Sequence, residues 1–130
     1  MSRDQRQAAV ADWVIRCWGA RVLASRAERG GRLLEEALEL AQAVDLPREK
    51  ALAILDHVYG RPAGDPAQEA GGVGVTLLAL SASLGLSADD AEAAEVARVL
   101  AKPVEHFRRR HAEKEVAGVM VTQQEHGADG

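Results

Sequence analysis

The sequence predicts an all-α domain, a four-helix-type bundle with additional short helices. Three observations predict it. Its 130 residues include 25 alanines and only 3% aromatics. A composition of Ala, Leu, Glu and Arg favours helices over the β-branched and aromatic runs that build sandwiches. Apolar residues recur at helical spacing along most of the chain. Helix start and stop signals punctuate it at regular intervals: Ser25 with Glu28, Pro47, Asp65-Pro66, Gly85, Ser87 and Pro103.

Each element follows from these signals. Trp13, Val14, Cys17, Trp18 and Val22 share one face of a first helix over Arg3–Leu23, and Gly19 predicts a break near Trp18–Ala20. Ser25 and Glu28 fit a capping box. The Gly30-Gly31 pair costs about 1 kcal/mol per glycine relative to alanine, which moves the expected start of the second helix to Arg32. It ends near Val44. A third helix starts at Leu46-Pro47, where proline is tolerated in the first turn, and runs to Tyr59. Residues 60–64 are a Gly/Pro loop. Asp65, Pro66 and Gln68 supply an N-cap, a first-turn proline and a capping-box glutamine for a fourth helix to Leu84. From Val73 to Leu84 this helix is apolar nearly all round, so it is expected at a bundle centre or a subunit interface. Ser87 opens a fifth helix, with Asp89 and Asp90 suited to its dipole, and Lys102 closes it. Pro103 to Glu115 makes a short sixth helix. The expected organisation is a single domain over 1–116, central helices at 32–44, 47–59, 66–84 and 88–101, and a frayed tail at 117–130.

Composition also narrows function. The formal net charge of −4 argues against a nucleic-acid polymer as partner. No apolar run reaches about 18 residues, so no membrane span is expected, and no basic-then-apolar leader opens the sequence. Cys17 is a lone cysteine and reads as a small buried hydrophobe in a reduced, cytoplasmic protein. A core of small side chains gains little per residue, which favours association between chains. No phosphate-cradling G-x-x-x-x-G-K-[ST] occurs. His57, His106, His111 and His126 show no zinc-ligand spacing with the glutamates. The glycines at 71, 72 and 74 read as permitting close helix approach or as leaving room beside a site. Arg108, Arg109 and Arg110 read as a solvated helix end.

One constellation carries chemistry. Glu35, Glu36 and Glu39 fall on about one-third of a helix circumference. Glu69 follows the Gly/Pro loop at the start of the next long helix. Hard divalent cations take carboxylate oxygens together with substrate phosphates, and facing helices can assemble such a cluster. Taken alone, an E-E-x-x-E run on an amphipathic helix is usually a solvated face, and it becomes informative only in combination.

The combination resembles a known family. Arg32-Leu33-Leu34-Glu35-Glu36-Ala37-Leu38-Glu39-Leu40 looks like the first signature helix of the MazG-type, all-α nucleoside triphosphate pyrophosphohydrolases. Gly64-Asp65-Pro66-Ala67-Gln68-Glu69-Ala70-Gly71-Gly72-Val73 resembles the second. The family pattern is E-x-x-E, a spacer, then E-x-x-D; Glu36, Glu39 and Glu69 match three of its positions, and Glu35 matches the extra glutamate often present. The resemblance covers Trp18 to Lys102. It implies the MazG-like bundle, cleavage of a (d)NTP between the α- and β-phosphates to (d)NMP and pyrophosphate, and nucleotide-pool sanitation as the role. It also implies Mg²⁺, with Mn²⁺ as a substitute, and a homodimer or homotetramer. Glu36, Glu39 and Glu69 would be the metal ligands and Glu35 the catalytic group that orients or deprotonates water. Arg32, Arg98 and Lys102 would contact phosphate, and Trp18 would line the pocket; as alternatives, the three cations serve helix ends or surface ion pairs, and Trp18 joins Trp13 in the core. The family aspartate falls on Gly72, which offers no ligand. A water would fill the gap, Glu92 or Glu95 would substitute, or the chain is a catalytically impaired nucleotide- or metal-binding regulatory protein. A further reading is an unrelated helical interaction protein.

Overall fold

A computed structural model describes residues 1–119, and the greater part of the expected tail, 120–130, lies outside the described residues. Every element among the described residues is a helix: α1 (Arg3–Trp18), α2 (Ala20–Ala24), α3 (Arg26–Ala43), α4 (Arg48–Tyr59), α5 (Pro66–Ser83), α6 (Ala88–Ala101) and α7 (Val104–Ala117). The all-α class is therefore correct. No single helix among them is long and apolar enough to cross a membrane.

The helix boundaries follow local chemistry. Ser2 caps α1 through a reciprocal capping box with Gln5. The break expected near Trp18–Ala20 falls at Gly19, whose φ of +95° suits glycine. The Asp65 carboxylate accepts the Gln68 N–H at 3.0 Å to start α5, and the Ser87 hydroxyl accepts the Asp90 N–H at 3.1 Å to start α6. At the end of α3, Asp45 takes a left-handed φ of 67° and the Leu46 N–H returns to the Ala41 carbonyl at 3.0 Å.

One boundary differs from expectation. α3 begins at Arg26, not Arg32, and continues through both glycines. The reason lies in the first turn. Ser25 is buried and its hydroxyl accepts the Glu28 N–H at 3.3 Å. Glu28 is buried too, and the Arg29 guanidinium lies 5.5 Å from the centre of the Trp18 ring. A capped and packed first turn offsets the glycine penalty.

The described chain divides into two compact units, Met1–Leu40 with residues 96–119, and Ala41–Glu95. In the first unit α7 lies against α1. Val14, Cys17, Val22, Val96 and Phe107 are its buried hydrophobic side chains. Phe107 meets Trp13 edge-on at 4.9 Å, Trp13 meets Trp18 at 5.3 Å, and the His111 ring lies 5.6 Å from Trp18. The Arg108 guanidinium donates to the Cys17 carbonyl at 2.8 Å and the Arg16 carbonyl at 3.1 Å. It thus serves carbonyls left open at the end of α1. That corrects the reading of Arg108 as merely part of a solvated helix end.

The second unit contains α4, α5 and most of α6. Among its described residues no hydrophobic side chain is buried; Ser81 is the one buried residue. α5, expected to be enclosed, leaves Val75 66% and Leu78 58% exposed. The sequence pattern supplies an all-round apolar helix, but its own unit covers only part of the circumference. Gly71, Gly72 and Gly74 each cost about 1 kcal/mol in a helix relative to alanine. A Cβ added at any of them meets nothing within 4 Å.

Candidate functional site

The acidic face of α3 is the candidate site, and its order comes from two cations. Arg32 stands one turn before Glu35 and Glu36 and reaches both. One guanidinium nitrogen donates to Glu35 Oε2, and the other donates to Glu36 Oε1 at 3.0 Å. Lys114, from α7, places Nζ 3.0 Å from Glu35 Oε1 and 3.2 Å from Oε2. Glu35 is the half-buried member of the group, whereas Glu36 and Glu39 are exposed. Partial burial raises the Glu35 carboxyl pKa. The Lys114 hydrogen bond and the Arg32 and Lys114 charges outweigh that and hold it below the ordinary glutamate value. Glu35 is therefore ionised and a weak base, better suited to orient water than to deprotonate it.

Lys114 escaped sequence reasoning. It lies 79 residues from Glu35 in a polar helix, and only the packing of α7 brings it to α3. Its spacing on α7 carries no signal that could have found it.

Glu69 sits in the first turn of α5, in the second unit. Its carboxylate folds back over the preceding loop. A Cβ on Gly64 would lie 2.8 Å from Glu69 Oε1, so glycine at 64 is what lets the carboxylate rest there. Gly72 stands one turn further along α5, and its carbonyl accepts the Thr76 hydroxyl at 3.1 Å. Glu92 and Glu95 lie on α6, in that same unit.

The remaining sequence candidates fall in the first unit. Arg98 and Lys102 lie in the last turn of α6 and just beyond it. With Arg109 and Arg110 of α7 they form the positive surroundings of His106. Desolvation, then these four charges, lower the His106 pKa. Trp18 is flanked by Arg29, Trp13 and His111, a partly exposed place between core and surface. Trp13 Nε1, Trp18 Nε1 and two Arg29 nitrogens are buried without a hydrogen-bond partner among the described residues.

Carboxylate oxygens are the right donors for Mg²⁺, but their arrangement here does not fit one. Glu35 already carries Lys114 on both oxygens and Arg32 on one. Among the described residues, no group of three or more His, Cys, Asp or Glu side chains is placed to hold a metal ion. Comparison with models of protein families, with curated proteins and with solved structures returned no match.

Proposed function

We propose that this chain is a nucleoside triphosphate pyrophosphohydrolase, cleaving between the α- and β-phosphates to release a nucleoside monophosphate and pyrophosphate. The observation that carries the reading is the Arg32–Leu40 segment of α3. It matches the first MazG-type signature, and it presents an ionised Glu35 with a guanidinium and an ammonium at hydrogen-bond range. Glu69, on a capped helix start after the Gly/Pro loop, supplies the match to the second signature. The MazG-like fold and a cytoplasmic setting, where Cys17 stays reduced, belong to the same proposal, as does a Mg²⁺ requirement whose three-carboxylate ligand set the described residues do not assemble.

The chain's own residues define what it contributes. An anionic triphosphate needs cations and a placed water. Arg32 and Lys114 are donors that can move from carboxylate to phosphate oxygen, since each forms charge-assisted hydrogen bonds with either anion. Arg98 and Lys102 are further phosphate contacts in this reading. Glu35, ionised and held from two sides, orients water for attack on the α-phosphorus.

The test is pyrophosphate release from canonical and modified (d)NTPs with Mg²⁺ or Mn²⁺. Turnover is expected in the wild type, and Glu36→Ala should lose it at least about 100-fold while keeping its helical circular dichroism. Equal turnover in both proteins would remove Glu36 from the site.

A second reading is favoured by Gly72, which puts no side-chain ligand where the family pattern has an aspartate. In it the chain binds nucleotide or metal as a catalytically impaired regulator. It predicts thermal stabilisation by Mn²⁺ with nucleotide, without pyrophosphate release from any substrate.

A further inference from the structure

The carboxylate of Glu35 already carries a cation, and that cation belongs to the chain. It comes from α7, whose two halves are held in different ways. The first half is built into the first unit. Phe107 is buried edge-on to Trp13, and the Arg108 guanidinium serves the Cys17 and Arg16 carbonyls at the end of α1. His111 follows one turn on, its ring 5.6 Å from Trp18. Beyond it every residue from 112 to 117 except Lys114 is exposed, Val116 to 91%. Lys114 turns inward instead and ends on α3.

The Lys114 ammonium meets both oxygens of Glu35, at 3.0 and 3.2 Å, and Arg32 donates to one of them. A carboxylate binds a metal ion through the lone pairs of these same oxygens. The Glu35 side chain is 29% exposed and that of Lys114 21%, so a second cation has little open carboxylate to approach. A divalent ion and an ammonium on one carboxylate also repel each other. Glu36 and Glu39 are exposed. Glu35 is therefore the member of the acidic face that is closed to an outside cation, and Lys114 is what closes it.

The closure is reversible by construction. An ion pair between groups that water still reaches is a weak tether. Its exchange leaves α7 in place, because Phe107 and Arg108 anchor the helix further back. We propose that Lys114 is a built-in counter-cation: it takes the place on Glu35 that a divalent ion would take, so docking of the outer half of α7 on α3 and divalent-ion binding at Glu35 exclude each other. By linkage, each weakens the other by the same factor. The inference rests on the Mg²⁺ part of the proposed function and not on pyrophosphate release.

Mn²⁺ alone is the probe, titrated into the full chain and read by the paramagnetic resonance of the free ion. Lys114→Met and Lys114→Gln should each bind Mn²⁺ at least about fivefold more tightly than the wild type. Lys114→Arg keeps a cation on Glu35 and should bind as the wild type does. Arg109→Met removes the same charge from another side of α7 and should leave the affinity within about twofold. That control separates an occupied carboxylate from a change in net charge. Adding Glu35→Gln to Lys114→Met should abolish the gain. Helical circular dichroism should be the same throughout, since Lys114 lies outside the buried cluster around Phe107. Equal affinity in the wild type and the two neutral variants, no measurable binding by any of them, an equal gain in Arg109→Met, or a gain that survives Glu35→Gln would each overturn the inference. Pyrophosphate release by the wild type beside any of these results would leave the hydrolase reading standing without it. A Lys114→Met gain with no release from any (d)NTP would uphold the counter-cation and remove the hydrolase.

Discussion

Glu35 shows at the level of a single residue how pattern and packing divide the work. Its place on the acidic face of α3 was legible, since Glu35, Glu36 and Glu39 recur at helical spacing. Its charge state was not, because Lys114 reaches it only through tertiary packing. The carboxyl pKa is depressed in the folded chain. Its stabilising contribution is therefore complete above the unfolded value of about 4.3 and fades as pH falls through the lower folded value. Lys114→Met should reduce stability by up to about 1 kcal/mol at pH 7 and by less at pH 3. Urea denaturation at the two pH values measures the difference, and an equal loss at both would mean that the ion pair contributes nothing. Gly64 is the corresponding small residue at the second signature. Gly64→Ala brings a methyl to 2.8 Å of Glu69 Oε1, and a flexible carboxylate can yield. Thermal stability should change by less than about 1 kcal/mol, while pyrophosphate release, if Glu69 works where the hydrolase reading puts it, should fall about tenfold or more. Unchanged turnover in the alanine variant would take the resting position of Glu69 out of the mechanism.

Helix starts were read well wherever a side chain makes the cap. Asp65 and Ser87 bond as their spacing implied, because N-caps are local and depend on three or four residues. The start of α3 was misplaced by six residues because glycine propensity is a weak term beside a buried, capped first turn. Association of α7 with α1 lay beyond any local signal. Phe107, at the centre of that contact, is 9% exposed and stacks edge-on with Trp13. Phe107→Ala should cost about 3 kcal/mol, seen as a lower urea midpoint. Since α7 carries Lys114, the same variant should release Glu35. A loss below about 1 kcal/mol would show that α7 contributes little to the first unit.

For the molecule as a whole, stability should depend on protein concentration. The homodimer or homotetramer that the MazG-type resemblance implies would be stabilised by mass action. Each tenfold dilution should remove about 1.4 kcal/mol of apparent stability per dimer. Melting scans from 1 to 100 μM (about two decades) should show a rising midpoint, and a constant one would contradict association. The sequence by itself determined the all-α class, the caps, the break at Gly19 and the shared acidic face of α3, all of which depend on residues within a turn or two of one another. Tertiary structure alone decided that Arg108 serves the end of α1, that Lys114 holds Glu35, and that α5, apolar nearly all round, leaves Val75 and Leu78 exposed. Those outcomes depend on which distant surfaces meet. Periodicity marks a face as apolar or charged, but it carries no record of what that face will touch.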